Sequence, residues 1–126
     1  MSIETSLKVL LNTDPGENLG YGARKGEEEQ FLESLNRSLE YCKALGAKRL
    51  HIMAGKKIKG VTEDEAMGIF EKNLRKAIPL LEENGVIGLI EPINPYSVPD
   101  YNMDSFQSGL QLVKYVILYK SYKLFL

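Results

Sequence analysis

One carboxylate in the sequence stands where α/β proteins carry out their chemistry, at the end of a strand. Glu91 directly follows an apolar run at residues 86–90, and Pro92 after it ends a strand and holds the residue before it in an extended backbone. A carboxylate fixed at such a position can ligate a hard divalent cation or remove a proton next to a carbonyl group. The alternative is a glutamate at a strand edge that faces solvent or a neighbouring lysine.

Polar side chains elsewhere could serve the same site. His51 is the only histidine and lies within a second apolar run, where it can ligate a metal, polarise a carbonyl or contact a substrate, or can be a satisfied core histidine. Asn12, Asn94 and Tyr101 follow strands and can hydrogen-bond a polyol or a keto acid, although loop asparagines are also common turn residues. Arg24 can meet an anionic carboxylate, with a solvated loop arginine as the alternative.

The elements that must position these residues alternate along the chain. Short apolar runs at 8–11, 49–54 and 86–90 predict strands, and an amphipathic pattern after each run predicts a helix. Continuous apolar strands between helices are typical of a parallel sheet that helices cover. The predicted fold class is therefore α/β, and chemistry is expected in the loops at the carboxyl ends of the strands.

Two of the predicted helices have recognisable ends. The first ends at Gly46, and the second begins at Thr62, which forms a capping box with Glu65. Pro79 falls inside the second helix, where it removes one backbone hydrogen bond and should kink the helix. The apolar face of the first helix is predicted to consist of Phe31, Leu35, Leu39, Cys42 and Leu45.

Composition excludes several classes of protein. The chain has 126 residues with 16 Lys+Arg against 17 Asp+Glu, so its formal charge of −1 does not indicate a nucleic-acid binder. A single cysteine, Cys42, allows no intrachain disulfide and is typical of a reducing, cytoplasmic setting. No signal peptide is recognised, and the apolar stretch at 115–126 is too short to span a membrane, so no membrane partner is expected. The pattern does not decide the oligomeric state.

Four segments in order resemble one known family. The sequences NTDPG at 12–16, LHIMAG at 50–55, EKNLR at 71–75 and LIEPINP at 89–95 are similar to those of hydroxypyruvate isomerases, which belong to the xylose isomerase-like barrels. The resemblance implies that the chain is a partial (β/α)8 TIM barrel of about three βα units with parallel strands. Residues 1–114 are predicted to form this partial barrel domain.

The resemblance also implies a reaction. Members of the family interconvert hydroxypyruvate and 2-hydroxy-3-oxopropanoate (tartronate semialdehyde) through an enediol, with two glutamates on opposite sides of a small keto-acid substrate. Glu91 matches the first glutamate, as proton donor and acceptor, and in a full barrel it is also a possible ligand of a divalent metal, Mg²⁺ or Mn²⁺. His51, Asn12, Asn94, Tyr101 and Arg24 are the predicted substrate-binding residues.

The chain departs from the family pattern near its end. Residues 115–126 form an apolar tail without the Asp and His that the family carries on its next strand, and the position of the second glutamate does not occur. The truncated chain is therefore expected to be inactive alone and to hold no metal. The alternative is a non-catalytic truncated isoform, or a fragment that acts through protein interaction.

Overall fold

The structure is a computed structural model that describes residues 19–90 and 100–102, together with the backbone of two short strands at 9–12 and 124–125. The helix predicted after the third strand lies outside these residues. The described elements are, in chain order, β1 Val9–Asn12, α1 Glu28–Leu45, β2 Arg49–Ile52, α2 Glu63–Glu83, β3 Ile87–Leu89 and β4 Leu124–Phe125.

The four strands form one sheet in the order β1-β2-β3-β4, and every neighbouring pair is parallel. His51 on β2 is in register with Leu11 on β1 and with Leu89 on β3. Strands that follow one another in both sequence and space, with a helix between them, are βαβ units. The predicted α/β class with parallel strands is thus confirmed.

Helix α1 has the charges and the end that its sequence predicts. Glu28 and Glu29 occupy the first turn, where carboxylates interact favourably with the helix dipole. Gly46 ends the helix in the left-handed conformation, with φ 69°, and its N–H donates to the carbonyl of Cys42. Leu45 was predicted on the buried face but is 54% exposed, since it occupies the last helical position, beyond the part of α1 that packs.

Helix α2 begins at the predicted cap. The hydroxyl of Thr62 accepts a hydrogen bond from the N–H of Glu65 at 3.2 Å. The helix then runs without interruption through Pro79, which is exposed, and ends at Glu83. Its buried face, which packs against the sheet and α1, comprises Ala66, Phe70, Asn73, Leu74, Ala77, Ile78 and Leu81.

The core lies between the helices and one face of the sheet. Leu50 and Ile52 of β2 are fully buried in the same cluster as Phe31 of α1 and Phe70 of α2. Cys42 belongs to this cluster, and burial raises the pKa of its thiol above the ordinary value of 9.0, which keeps the thiol protonated at neutral pH. Neither α1 nor α2, the helices in the described part of the chain, is long and apolar enough to cross a membrane.

Candidate active site

The loop between β2 and α2, residues 53–62, lies at the carboxyl end of the sheet and is bonded on one side to the loop that follows β1. The N–H of Gly22 donates to the carbonyl of Met53 at 3.0 Å, and the N–H of Ala23 donates to the carbonyl of Ala54 at 2.7 Å. These two bonds pair consecutive residues of the β1–α1 loop with consecutive residues of the β2–α2 loop and hold the two loops together. Residues that the sequence places after different strands therefore share one surface.

On its other side the β2–α2 loop is bonded to residues 100–102, which follow β3. The N–H of Lys57 donates to the carbonyl of Asp100 at 2.6 Å, and the N–H of Asn102 donates to the carbonyl of Gly55 at 3.0 Å. The side-chain amide of Asn102 donates to the carbonyls of Gly55 at 2.9 Å and of Lys56 at 3.1 Å. Asn102 is 3% exposed, so its side chain is fixed and serves the loop rather than solvent.

His51 lies near the carboxyl end of β2, on the face of the sheet that is turned away from the two helices. Side chains alternate between the faces of a strand, and Leu50 and Ile52 on either side of His51 pack in the core formed with α1 and α2. The imidazole is largely buried, at 9% exposure. In a closed barrel this face lines the interior, where strand residues near the carboxyl ends contribute to the active site.

Arg24 is anchored to the same loop surface. Its Nε lies 2.8 Å from Oε2 of Glu27 in an ion pair, and its Nη1 donates to the carbonyl of Lys56 at 2.6 Å. The side chain is 13% exposed, so it is not the solvated arginine that was the alternative interpretation. Lys25 beside it is exposed and pairs with Glu65, and this hydrogen bond and ion pair raise the pKa of the lysine.

Tyr101 is buried at 1% exposure, and its hydroxyl accepts a hydrogen bond from the N–H of Ala54 at 2.7 Å. The predicted role of Tyr101 in binding substrate stays a prediction. Through this bond Tyr101 also fixes the β2–α2 loop, which begins two residues after His51.

We expect Tyr101→Phe to lower the free energy of unfolding by about 1–2 kcal/mol, because the buried N–H of Ala54 loses its acceptor. Urea denaturation followed by circular dichroism measures this change. Tyr41→Phe is the matched control, since Tyr41 is 59% exposed and its loss of a hydroxyl should change stability by less than about 0.5 kcal/mol. Equal effects of the two substitutions would contradict a structural role for the Tyr101 hydroxyl.

Glycines allow the close approach of these loops. A Cβ atom at Gly22 would lie 2.8 Å from the carbonyl oxygen of Met53 and 2.6 Å from Cε1 of Phe70. Gly20 has φ +103°, a conformation that side chains strongly disfavour, and forms an isolated bridge with Ala54. Close packing against the β2–α2 loop and Phe70 therefore accounts for the glycines at 20 and 22.

Asn73 is a residue of this region that the sequence analysis did not single out as a site residue. It is 1% exposed, and its side-chain amide donates to the carbonyl of Gly22 at 2.8 Å. The signal that could have revealed it is a polar side chain on the apolar face of α2, three positions after Phe70 and one before Leu74. Asn73 links α2 directly to the loop that carries Arg24.

The remaining predicted site residues are placed only in part. Asn12 is the last residue of β1, and its backbone is in register with Ile52. Glu91 and Asn94 lie outside the described residues, two and five positions after the end of β3. Within residues 19–90 and 100–102 no three His, Cys, Asp or Glu side chains come together to hold a metal ion, and Glu91, the predicted metal ligand, lies outside these residues.

The parallel βαβ arrangement, with bonded loops at the carboxyl ends of the strands, defines an α/β protein built from the units that also make up (β/α)8 barrels. Residues 3–121 match the xylose isomerase-like TIM barrel family, and the chain belongs to that family. Among solved structures, it is similar to that of AP endonuclease, family 2, from Brucella melitensis. The TM-score is 0.77 and the identity 31%, covering 86% of this chain and 43% of that chain.

Curated relatives confirm the resemblance to hydroxypyruvate isomerases. A human protein whose name provisionally assigns it as a hydroxypyruvate isomerase is 36% identical in an alignment of 117 residues that covers 86% of this chain and 42% of the relative. The protein named hydroxypyruvate isomerase in Escherichia coli K12 is 29% identical over 94 residues, or 75% of this chain and 36% of that protein. The chain therefore spans less than half the length of these relatives.

Proposed function

We propose that this chain forms part of the active-site wall of an isomerase that interconverts hydroxypyruvate and 2-hydroxy-3-oxopropanoate. The observation that carries the proposal is the placement of His51. This residue lies on the face of the sheet opposite α1 and α2, near the carboxyl end of β2, and the loop that begins two residues later is held in place by two other loops. The names of the relatives support isomerisation as the class of reaction.

In the proposed reaction Glu91 takes a proton from the hydroxymethyl carbon of hydroxypyruvate, and the ketone oxygen gains a proton, which gives an enediol. A proton returned to the neighbouring carbon, with loss of the proton from the terminal hydroxyl, then yields the aldehyde, so the reaction moves hydrogen without any net gain or loss of electrons. His51 hydrogen-bonds the oxygen on which charge develops. Arg24 bonds Glu27 through Nε and Lys56 through Nη1, and it holds the substrate carboxylate through its other guanidinium N–H groups.

Asn12, Asn94 and Tyr101 complete the proposed contacts to the substrate oxygens. The charge of the chain does not support the endonuclease activity for which the Brucella protein is named. An endonuclease neutralises the phosphates of its substrate with basic side chains, and this chain has a formal charge of −1. An acid–base site for a small keto acid does not require a surface rich in basic side chains.

The proposal includes inactivity of the 126-residue chain by itself. One glutamate serves one side of the enediol, and the position that matches the second glutamate of the family does not occur in the sequence. A second candidate function is a non-catalytic chain that acts through protein interaction. The end strands of the sheet favour it, because strand edges pair readily with other chains.

Proton NMR of the chain in D₂O, with hydroxypyruvate added in steps, tests the proposal. Because His51 is the only histidine, its imidazole signals can be followed without ambiguity, and we expect them to shift in a saturable way. Propionate, which has a carboxylate but no ketone or hydroxyl group, is the control ligand and should leave the signals unchanged. No saturable shift with hydroxypyruvate or with a panel of related keto acids and ketoses would contradict the proposed site.

The same spectra test inactivity. We expect no conversion of hydroxypyruvate above the rate in buffer, and no difference between the chain and its Glu91→Gln variant. Turnover by the chain that disappears in Glu91→Gln would show that the chain is catalytic on its own and would contradict this part of the proposal.

A further inference from the structure

The side chain of Arg24 is held along its length by its own loop and by the β2–α2 loop. Its Nε lies 2.8 Å from Oε2 of Glu27, and its Nη1 donates to the carbonyl of Lys56 at 2.6 Å. The aliphatic stem lies against Gly55, where an added Cβ would be 2.8 Å from Cδ and 3.0 Å from Cγ of Arg24. These contacts fix both the position and the orientation of the guanidinium group.

The contacts from the β2–α2 loop to Arg24 come from its backbone. The Lys56 carbonyl accepts a second hydrogen bond, from the buried side-chain amide of Asn102 at 3.1 Å, and this bond fixes the carbonyl in turn. Gly55 contributes the space that a side chain would fill. Glu27 therefore supplies the contact to Arg24 that a side-chain substitution removes without altering the backbone of either loop.

Glu27 occupies the N-cap position of α1, but its side chain makes no hydrogen bond to the helix. At this position a short polar side chain normally accepts a bond from an N–H group of the first turn. The carboxylate of Glu27 instead bonds Arg24, three residues earlier, and is only 24% exposed. The hydrogen bond of this carboxylate thus serves the arginine and not the cap of the helix.

We propose that Glu27 is a positioning residue which, by holding Arg24, makes the site selective for small substrates that carry a carboxylate. The inference rests on the proposed function, which supplies hydroxypyruvate as the ligand. A guanidinium has five N–H donors in one plane, and the bonds to Glu27 and Lys56 use two of them. Because Arg24 is already ordered, its other donors bind a carboxylate without the entropic loss of immobilising a long side chain. A neutral ketose gains nothing from this arrangement.

Two substitutions of Glu27 separate its hydrogen bond from its charge. Glu27→Gln keeps a side-chain oxygen that accepts from Nε of Arg24, and it removes a negative charge that repels an incoming carboxylate. Glu27→Ala removes both the acceptor and the charge. The interaction of this charge with the dipole of α1 is lost equally in the two variants, so it does not affect the comparison.

Titrations followed through the proton NMR signals of His51 measure the selectivity. We expect Glu27→Ala to raise the Kd for hydroxypyruvate by about two- to tenfold, and Glu27→Gln to bind at least as tightly as the unmodified chain. Dihydroxyacetone has the same ketone and hydroxymethyl groups but no carboxylate, and its Kd should be unchanged in both variants. Glu65→Ala is the matched control, because Glu65 pairs with the neighbouring Lys25 and should leave both Kd values unchanged.

Several results of these titrations would overturn the proposal. An unchanged Kd for hydroxypyruvate in Glu27→Ala would show that Arg24 does not depend on Glu27. Equal weakening of hydroxypyruvate and dihydroxyacetone would show a structural role without selectivity. Equal weakening in Glu27→Gln and Glu27→Ala would assign the effect to charge, and equal weakening in Glu65→Ala would assign it to the loop in general.

A second measurement uses no ligand and separates failure of this proposal from failure of the proposed function. In the ¹⁵N-labelled chain, the Nε–H signal of Arg24, assigned by its loss in Arg24→Lys, reports on the bond to Glu27. We expect its proton to exchange with water about tenfold faster in Glu27→Ala than in the unmodified chain or in Glu27→Gln. Equal exchange in all three would overturn the proposal whether or not hydroxypyruvate binds. The expected exchange without binding of hydroxypyruvate would contradict the proposed function, and with it the selectivity, but would support the positioning of Arg24 by Glu27.

Discussion

Replacing Phe70 by alanine should lower the free energy of unfolding by about 3–5 kcal/mol, the cost of removing a large aromatic side chain from a packed core. Phe70 is completely buried on the face of α2 that meets the sheet and α1. A Cβ at Gly22 would lie 2.6 Å from its ring, so the ring packs directly against the β1–α1 loop. The cavity would therefore open beneath the loop that carries Arg24.

Urea denaturation followed by circular dichroism measures the loss, and Tyr41→Ala is the matched control. Tyr41 is 59% exposed on α1, so its truncation should change stability by less than about 0.5 kcal/mol. Because domains of this size are commonly stable by about 5–15 kcal/mol, Phe70→Ala removes a large fraction of the total. A loss below about 1 kcal/mol would mean that the surroundings of Phe70 collapse into the space and that the loop does not depend on the ring.

The elements of the fold could be predicted because their signals are local. Gly46 ends α1 with φ 69°, and Thr62 caps α2 through a bond to Glu65, as the residue types at those positions indicate. The apolar run at 86–90 contains β3 Ile87–Leu89. Each of these features depends on side chains within a few positions of one another, so the order of residue types in the sequence is enough to predict it.

The construction of the candidate site could not be predicted in the same way. The bond from Asn73 to Gly22 joins residues 51 positions apart, and the bonds from Tyr101 and Asn102 to the β2–α2 loop span 46 or 47 positions. The sequence identifies Tyr101 and Arg24 as polar loop residues, but it does not indicate which atoms their side chains contact. Arg24 pairs with the nearby side chain of Glu27, but the distant partners of Tyr101 and Arg24 are the backbone groups of Ala54 and Lys56, and the sequence carries no signal for such partners. The position of a loop atom is therefore known only after the strands have been paired.

Replacing Pro79 by alanine should raise the free energy of unfolding by about 2 kcal/mol. Proline in the interior of a helix costs about 3 kcal/mol because it cannot donate to the carbonyl four residues before it, here that of Arg75, and because its ring crowds that carbonyl. Alanine would restore the donor. The gain is reduced by about 0.4–1 kcal/mol, because proline also restricts the unfolded chain and alanine does not.

The position of Pro79 makes this gain measurable. The residue is exposed and α2 continues on both sides of it, so alanine should fit without disturbing the core. Lys76→Ala, at another exposed position of the same helix, is the control and should change stability by less than about 0.5 kcal/mol. Urea denaturation of the three proteins gives the comparison. Unchanged or lower stability in Pro79→Ala would mean that α2 has already adapted its backbone around the proline. The contacts of the adapted helix with the sheet would then offset the missing hydrogen bond.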